Sequence, residues 1–259
     1  SGKRARSDDG KKETAAPAAA EDAEKNDDDG DAAPAVSAGC GQLAELQVDT
    51  ASDCYDWLVA EHKITKPWRV KNGYMESTPD KLDLVTAALS ATEGSHGEFM
   101  SRMRIGVQYD TQVTTSFSSR PRFDRRGDGD QGSWRPTVVT QTYNSACSVG
   151  YSRCATGSWV ALAAAVLDAT YEATFLVAVV HNADAIIAAE TSRDSSDAAA
   201  GVKPLYLTKV GGGVFANPSE WIADAIQSAV AAVEKYGVDL DVRVVHYGRI
   251  EAPYKTMFA

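Results

Sequence analysis

Apolar residues along this chain recur either every three to four positions or in alternation, and the change from one spacing to the other marks out the elements. From Cys40 to about Glu61, Leu43, Leu46, Cys54, Trp57 and Leu58 keep helical spacing. Thr78 or Asp80 can cap a second helix through Leu82, Leu84, Val85 and Leu89. Gly94-Ser95-His96-Gly97 reads as a break. Met103–Val113 (MRIGVQYDTQV) alternates and is rich in β-branched and aromatic residues, so it predicts a strand. Thr137–Tyr143 (TVVTQTY) predicts the next strand, which empties into Asn144-Ser145-Ala146. The polar stretch between them, 118–135, is rich in Arg, Asp and Gly and longer than ordinary connections.

The second half begins with a small-residue loop, Gly150–Gly157, and Ser158 is a good N-cap. From Trp159 an Ala-rich run carries strong helix propensity, with no Gly or Pro until Gly201. It predicts one long helix, broken near His181-Asn182; Phe175–Val180 also suits a buried strand. Residues 191–201 are small and polar, a linker. Pro204–Val210 (PLYLTKV) then reads as a buried strand, Gly211-Gly212-Gly213 as a tight loop, and Ser219–Tyr236 as an amphipathic helix ended by Gly237. Val242–Tyr247 (VRVVHY) is a second buried strand. Such a β-loop-α-β unit implies a parallel pair with a right-handed crossover. The fold class expected is α/β, a mixed sheet flanked by helices with extra helices at the N-terminal side.

Composition changes this picture at the N-terminus. Residues 1–38 contain no Leu, Ile, Met or aromatic residue and only Val36 as a large aliphatic, so they cannot offset their ordering entropy and read as a disordered tail. Residues 39–259 are left as one domain with a sizeable core. The net charge of -10 divides as -4 in the tail and -6 in the domain. A balance so acidic is poorly suited to wrapping nucleic acid, which is usually done by a basic face. The tail opens with charge, so no signal peptide is expected; Lys3-Arg4-Ala5-Arg6 with Lys11-Lys12 reads as a solvated stretch or a weak nuclear-import signal. Four cysteines without a C-x-x-C pair indicate a reducing compartment, cytoplasmic or nuclear.

The run Trp159–Val180 is long enough to cross a bilayer of roughly 30 Å. Asp168 and Glu172 stand near its centre, each costing on the order of 2.5–3.5 kcal/mol on insertion. The run therefore predicts a buried helix, and no membrane partner is expected. His62, His96, His181 and His246 lack ligand-like spacing, so no metal site is expected. Cys147 and Cys154 have no identifiable His partner and read as buried small residues.

Chemistry concentrates in Leu207–Pro218, where a strand ends and a helix opens. Three glycines let an anion approach the amides, and the helix start adds free N–H groups and the positive end of its dipole. The Lys-Ser/Thr of a Walker motif and the spacing of a dinucleotide fingerprint are both missing. A turn needed only for strand–helix packing would use the same glycines.

The stretch Lys203–Arg249 resembles the C-terminal part of a macrodomain, the ADP-ribose-binding fold. Gly213-Val214-Phe215-Ala216-Asn217-Pro218 fits that family's phosphate loop, G-x-(Y/F)-(G/A)-x-P, and a long helix and final strand follow. Val138–Ala146 (VVTQTYNSA) resembles the strand that ends in the family's Asn-Ala-Ala-Asn loop, with Asn144 in the Asn position. Tyr109-Asp110-Thr111 is loosely similar to its Gly-Asp-Ile-Thr. The family's second glycine cluster is absent, and GGGVFANPSEWIADAI looks like the divergent branch near the poly-ADP-ribose glycohydrolases, within it the MavL type, which acts on ADP-ribosylated ubiquitin.

The resemblance implies an ADP-ribosylhydrolase needing no cofactor, with ADP-ribose as ligand and an ADP-ribosylated protein, such as arginine-modified ubiquitin, as partner. A non-catalytic reader or an interaction scaffold are the alternatives. Asn144, Ser145, Gly211, Gly212, Gly213, Val214, Phe215 and Asn217 would hold the ligand, with Tyr247 stacking on adenine. A hydrophobic plug for Phe215, an N-cap-region role for Asn217 and an ordinary strand-end tyrosine are the plain readings of the same residues. Hydrolysis needs a carboxylate to activate water. Asp168 and Glu172 share a helix face at i, i+4 and are the first candidates, with Asp110 at a strand end the third. The same pair would also suit a solvent-facing stripe. Asp184 and Glu190 lie farther along that run. Asp124, Asp128 and Asp130 mix with arginines in the long loop and suit a solvated loop or a protein contact.

Overall fold

The computed structural model describes residues 49–113, 138–191 and 201–257, with the side chains in them apart from those of 188–191. The chain divides into two units, Ser1–Ala44 and Glu45–Ala259, and every described residue belongs to the second. The expected tail, the part of the first helix before residue 49, the loop 118–135, the linker 192–200 and the Glu190 side chain lie outside the described residues.

Local hydrogen bonding decides where the first helices begin. Asp49 Oδ1 accepts the Ala51 amide at 3.1 Å, an Asx-type turn, and helix α1 starts only at Ser52, running Ser52–Ala60. An antiparallel hairpin that the spacing of apolar residues does not announce follows: β1 (Arg69–Lys71) and β2 (Tyr74–Glu76). Its turn residues Asn72 and Gly73 both have positive φ, +50° and +78°, the pattern of a two-residue primed turn. Helix α2 (Pro79–Leu89) starts after Thr78, with Pro79 in the first turn, where a missing N–H costs nothing. The expected break at Gly94–Gly97 is instead the start of α3 (Ser95–Met100). Buried Ser95 stabilises that start, its Oγ accepting the Thr92 amide at 3.0 Å.

β3 (Gly106–Gln112) and β4 (Val138–Tyr143) pair antiparallel, with a bulge between Gln108 and Thr111 where Asp110 has φ +49°. Ser158 does not cap the long helix, because a 3-10 turn, Thr156–Trp159, comes first. Helix α4 spans Val160–His181 without interruption, so Phe175–Val180 is helix and not strand. The break expected at His181-Asn182 is present, and α5 (Ala183–Thr191) follows. Asn182 is buried at this corner: its Nδ2 donates to the carbonyls of Ala178 and Lys203, and its Oδ1 accepts the Lys203 amide. β5 (Leu205–Leu207) and β6 (Val242–Val244) flank α6 (Ser219–Glu234) and pair parallel, as the β-loop-α-β pattern predicts. These strands are shorter than expected and half-exposed, with Tyr206 facing out between Leu205 and Leu207. A short α7 (Ala252–Lys255) closes the described chain.

The chain is thus a mixture of helix and strand, but among the described residues six strands form three separate two-stranded sheets and not one mixed sheet. β4 and β5 lie on opposite sides of a cavity of about 570 Å³ floored by α4, and polar β4 side chains find partners on α4. Thr142 Oγ1 lies 3.4 Å from Thr174 Oγ1, and Thr140 Oγ1 lies 3.3 Å from His181 Nδ1.

Two hydrophobic clusters form the core, and α4 contributes to both. The first holds Trp57, Leu58, Leu82, Phe99, Trp159 and Leu162. The second joins Leu167, Tyr171 and Phe175 of α4 to Ile222, Ile226 and Val233 of α6. Each large apolar side chain withdrawn from water contributes roughly 1.5–3 kcal/mol. By length and composition Thr156–His181 could cross a membrane, with mean hydropathy 1.6, yet 56% of its apolar window is buried inside the protein. A helix apolar on nearly all sides here serves as the centre of the fold.

Candidate functional site

Two glycines bring the loops on either side of α4 into contact. At Gly150 the backbone amide donates to Phe215 O at 2.8 Å, and a Cβ there would stand 2.5 Å from Val214 O. At Gly211, φ is +77°, and a Cβ would meet the Ala146 Cβ and Asn217 Nδ2 at 2.6 Å each. Asn217, 3% exposed, completes the junction: its Nδ2 donates to Cys147 O at 2.9 Å and to Gly211 O at 3.2 Å. The loop 210–217 is therefore fastened to the segment 146–150 by two hydrogen bonds, Gly150 N–H to Phe215 O and Asn217 Nδ2 to Cys147 O, and by two close approaches, while Asn217 also braces its own loop at Gly211. Asn217 thus pins the two loops together and does not cap the helix; Pro218 holds the N-cap position.

Within this loop the Ala216 amide donates to Gly213 O and the Asn217 amide to Gly211 O. The amides of Gly213, Val214 and Phe215 have no protein acceptor among the described residues, and α6 opens without a side-chain cap. Free amides before an uncapped helix start are donors suited to an anion.

Phe215 turns from this loop into a cleft of about 950 Å³. Its ring packs edge-on against Tyr74 and Tyr151, both with centroids at 5.9 Å. The cleft is lined as well by Asp49, Ser52 and Asp56 at the start of α1, by Trp68 and Arg69 leading into the hairpin, and by Ser145 to Ser148. Aromatic faces, two carboxylates, the Lys66 ammonium and the Arg69 guanidinium, itself paired with Glu76, surround a space suited to a flat, polar ligand. Among the described residues no group of three or more His, Cys, Asp or Glu could hold a metal ion. Cys147, in the cleft wall, is a poor nucleophile because burial pushes its thiol up to about 12.

Of the ligand residues expected from the sequence, Ser145 and Phe215 line this cleft, while Gly211 and Asn217 stand behind it, against Ala146 and Cys147 of its wall. Gly212 packs near Ile222, Gly213 is open and Val214 is exposed. Asn144 stands elsewhere, lining the cavity between β4 and β5 and donating to Thr174 Oγ1 at 3.1 Å. Its Oδ1 is buried without a partner. Tyr247 lies beyond the end of β6 and is wholly exposed, so no wall places a base against it.

The three expected carboxylates are not brought to the cleft. Asp110 projects from the β3 bulge, exposed, and lines none of the three cavities described. Asp168 Oδ2 is 3.0 Å from His96 Nε2 of α3, and that hydrogen bond raises the His96 pKa above its ordinary value. Glu172, one turn on, is half-buried on the same side, away from Val166, which does reach the cleft. Asp168 is thus engaged with a histidine of α3 and not with the cleft.

Asp49, Asp56 and the hairpin residues are cleft components that periodicity does not single out. Asn72-Gly73 between Val70 and Tyr74 is the one sequence signal that points to the hairpin. No protein-family model, no curated protein and no solved structure matches this chain.

Proposed function

We propose that the chain is an ADP-ribosylhydrolase of macrodomain type, in the divergent branch near the poly-ADP-ribose glycohydrolases, which removes ADP-ribose from a modified protein such as arginine-modified ubiquitin. One observation carries this reading. The 210–217 loop, whose sequence resembles the family's phosphate loop, is pinned to the loop that follows β4 and turns Phe215 into a cleft large enough for a nucleotide diphosphate sugar. Its unpartnered amides supply the donors that a diphosphate needs in a protein of net charge -10. Ser145 and Phe215 flank the ligand, Gly211 and Asn217 keep the loop in register, and Tyr74 and Trp68 offer faces for its rings.

In the hydrolytic step a water attacks the anomeric carbon of the distal ribose, the glycosidic bond breaks, and the leaving group takes a proton as the water gives one up. The carboxylates that line the cleft are Asp49 and Asp56, so the proposal moves water activation to this pair from Asp168, Glu172 and Asp110. Asp49 is the more fixed of the two, through the Ala51 amide.

The reader alternative is favoured by one fact: the three carboxylates singled out on sequence grounds stand outside the cleft. Calorimetry with free ADP-ribose is the first test, and no binding at about millimolar ligand would sink both readings. Incubation with ADP-ribosylated ubiquitin or poly-ADP-ribosylated protein, followed by mass measurement of the product, separates hydrolase from reader. In the hydrolase reading Asp49→Asn or Asp56→Asn lowers turnover by two or more orders of magnitude, while Glu172→Gln leaves it unchanged.

A further inference from the structure

The hairpin has a second side. A cavity of about 600 Å³ lies between it, the start of α2 and the turn at Tyr151–Cys154. Five cationic side chains line it, Lys66, Arg69, Lys71, Lys81 and Arg153, against one carboxylate, Glu76. Arg69 is spent on that carboxylate, with Nε and Nη2 at 2.8 and 2.5 Å from Glu76 Oε2. The other four have no ion pair among the described residues. Four unpaired cations around one hollow repel one another, and nothing in a chain of net charge -10 requires them to be there.

Lys66 adds a separate observation. It precedes Pro67, a place that favours extended backbone, yet it has φ +51°. A non-glycine residue stays in that region only where its surroundings hold it. The result is a lysine set on the border between this groove and the main cleft, lining both.

We propose that this groove is a second anion site, taking a small ligand that carries a diphosphate or comparably charged phosphate ester. Its size suits a small molecule and not a protein element. The planar fork of Arg153 matches phosphate oxygens, while the three lysines supply point charge. A single carboxylate would leave most of that charge unanswered, so the site discriminates by the number of charges on its ligand.

Titration calorimetry of the full chain with inorganic pyrophosphate tests this. The expected result is saturable binding that weakens as salt is raised, with at least a tenfold loss in Lys71→Gln/Arg153→Gln. Neither residue lines the main cleft, so the ADP-ribose site that Tyr74→Ala weakens is retained in that variant, and the two readings stand or fall separately. Lys235→Gln, at the far end of α6, serves as the charge control and leaves pyrophosphate binding as it was. Absence of saturable binding, an equal loss in the control, or binding of a glutamate-rich peptide as tight as that of pyrophosphate overturns the proposal.

Discussion

The two hydrophobic clusters are built on one helix by different means. Around the second half of α4, alanines of α6 do much of the work: Ala223, Ala225 and Ala229 are buried in one cluster with Leu167, Tyr171 and Phe175 of α4. Small residues on α6 leave room for the large side chains of α4, and Phe175 and Ile226 fill the spaces left. Around the first half, three tryptophans, Trp57, Trp68 and Trp159, fill a space that short elements surround. A core of large rings joined by a three-residue-strand hairpin cannot close everywhere, and its open side is the cleft. The close-packed half therefore fixes the loop 210–217 in place, and the loosely enclosed half provides room for a ligand.

Breaking the tight half should cost the most. Phe175→Ala removes a fully buried ring between α4 and α6 and should lower stability by about 3–5 kcal/mol in urea unfolding. Next comes the junction between the halves. Gly150→Ala sets a methyl 2.5 Å from a carbonyl oxygen and should cost about 1–3 kcal/mol, with a loss of ADP-ribose affinity as Phe215 shifts. On the open side the effects should invert. Tyr74→Ala, at a residue already 40% exposed, should change stability by about 1 kcal/mol or less yet weaken ADP-ribose binding measurably. If Tyr74→Ala unfolded the protein, or Phe175→Ala spared it, the contrast between the halves would fail.

The smallest effect is a pH slope. The hydrogen bond to Asp168 raises the His96 pKa in the folded state, so the pair's contribution is fully present below the unfolded value of 6.5. It fades as pH rises through the folded value. The His96 side chain is 41% exposed, and after solvent screening the pair is worth about 0.5 kcal/mol. The melting temperature should fall slightly across that window in the native chain and not in His96→Gln.

Legibility followed the range of the interactions. Helices α2, α4 and α6 and the parallel β5–β6 pair were readable because their spacing and turn residues are local. The Gly94–Gly97 segment reads as a break but is the start of a helix, because the bonds of buried Ser95 to the Thr92 amide and hydroxyl outweigh two glycines. The hairpin at 69–76 carried its Asn-Gly turn in plain sight, but its strands are too short to show alternation. The cleft itself draws on α1, the hairpin, the segment 145–148 and Phe215, which no spacing rule connects. A helix pattern placed Asp168 and Glu172 on one face but did not say which neighbour that face would meet, and the neighbour is α3 with His96.

Because α4 belongs to both clusters, neither half has a complete floor without it. At 22 residues it is about 33 Å long, and melting any middle turn removes support from the tryptophans and the alanine seam together. Amide exchange should accordingly find one slow class along Leu162–Phe175 in step with global unfolding, while the hairpin rim exchanges far sooner. The molecule can open its mouth without loosening its spine.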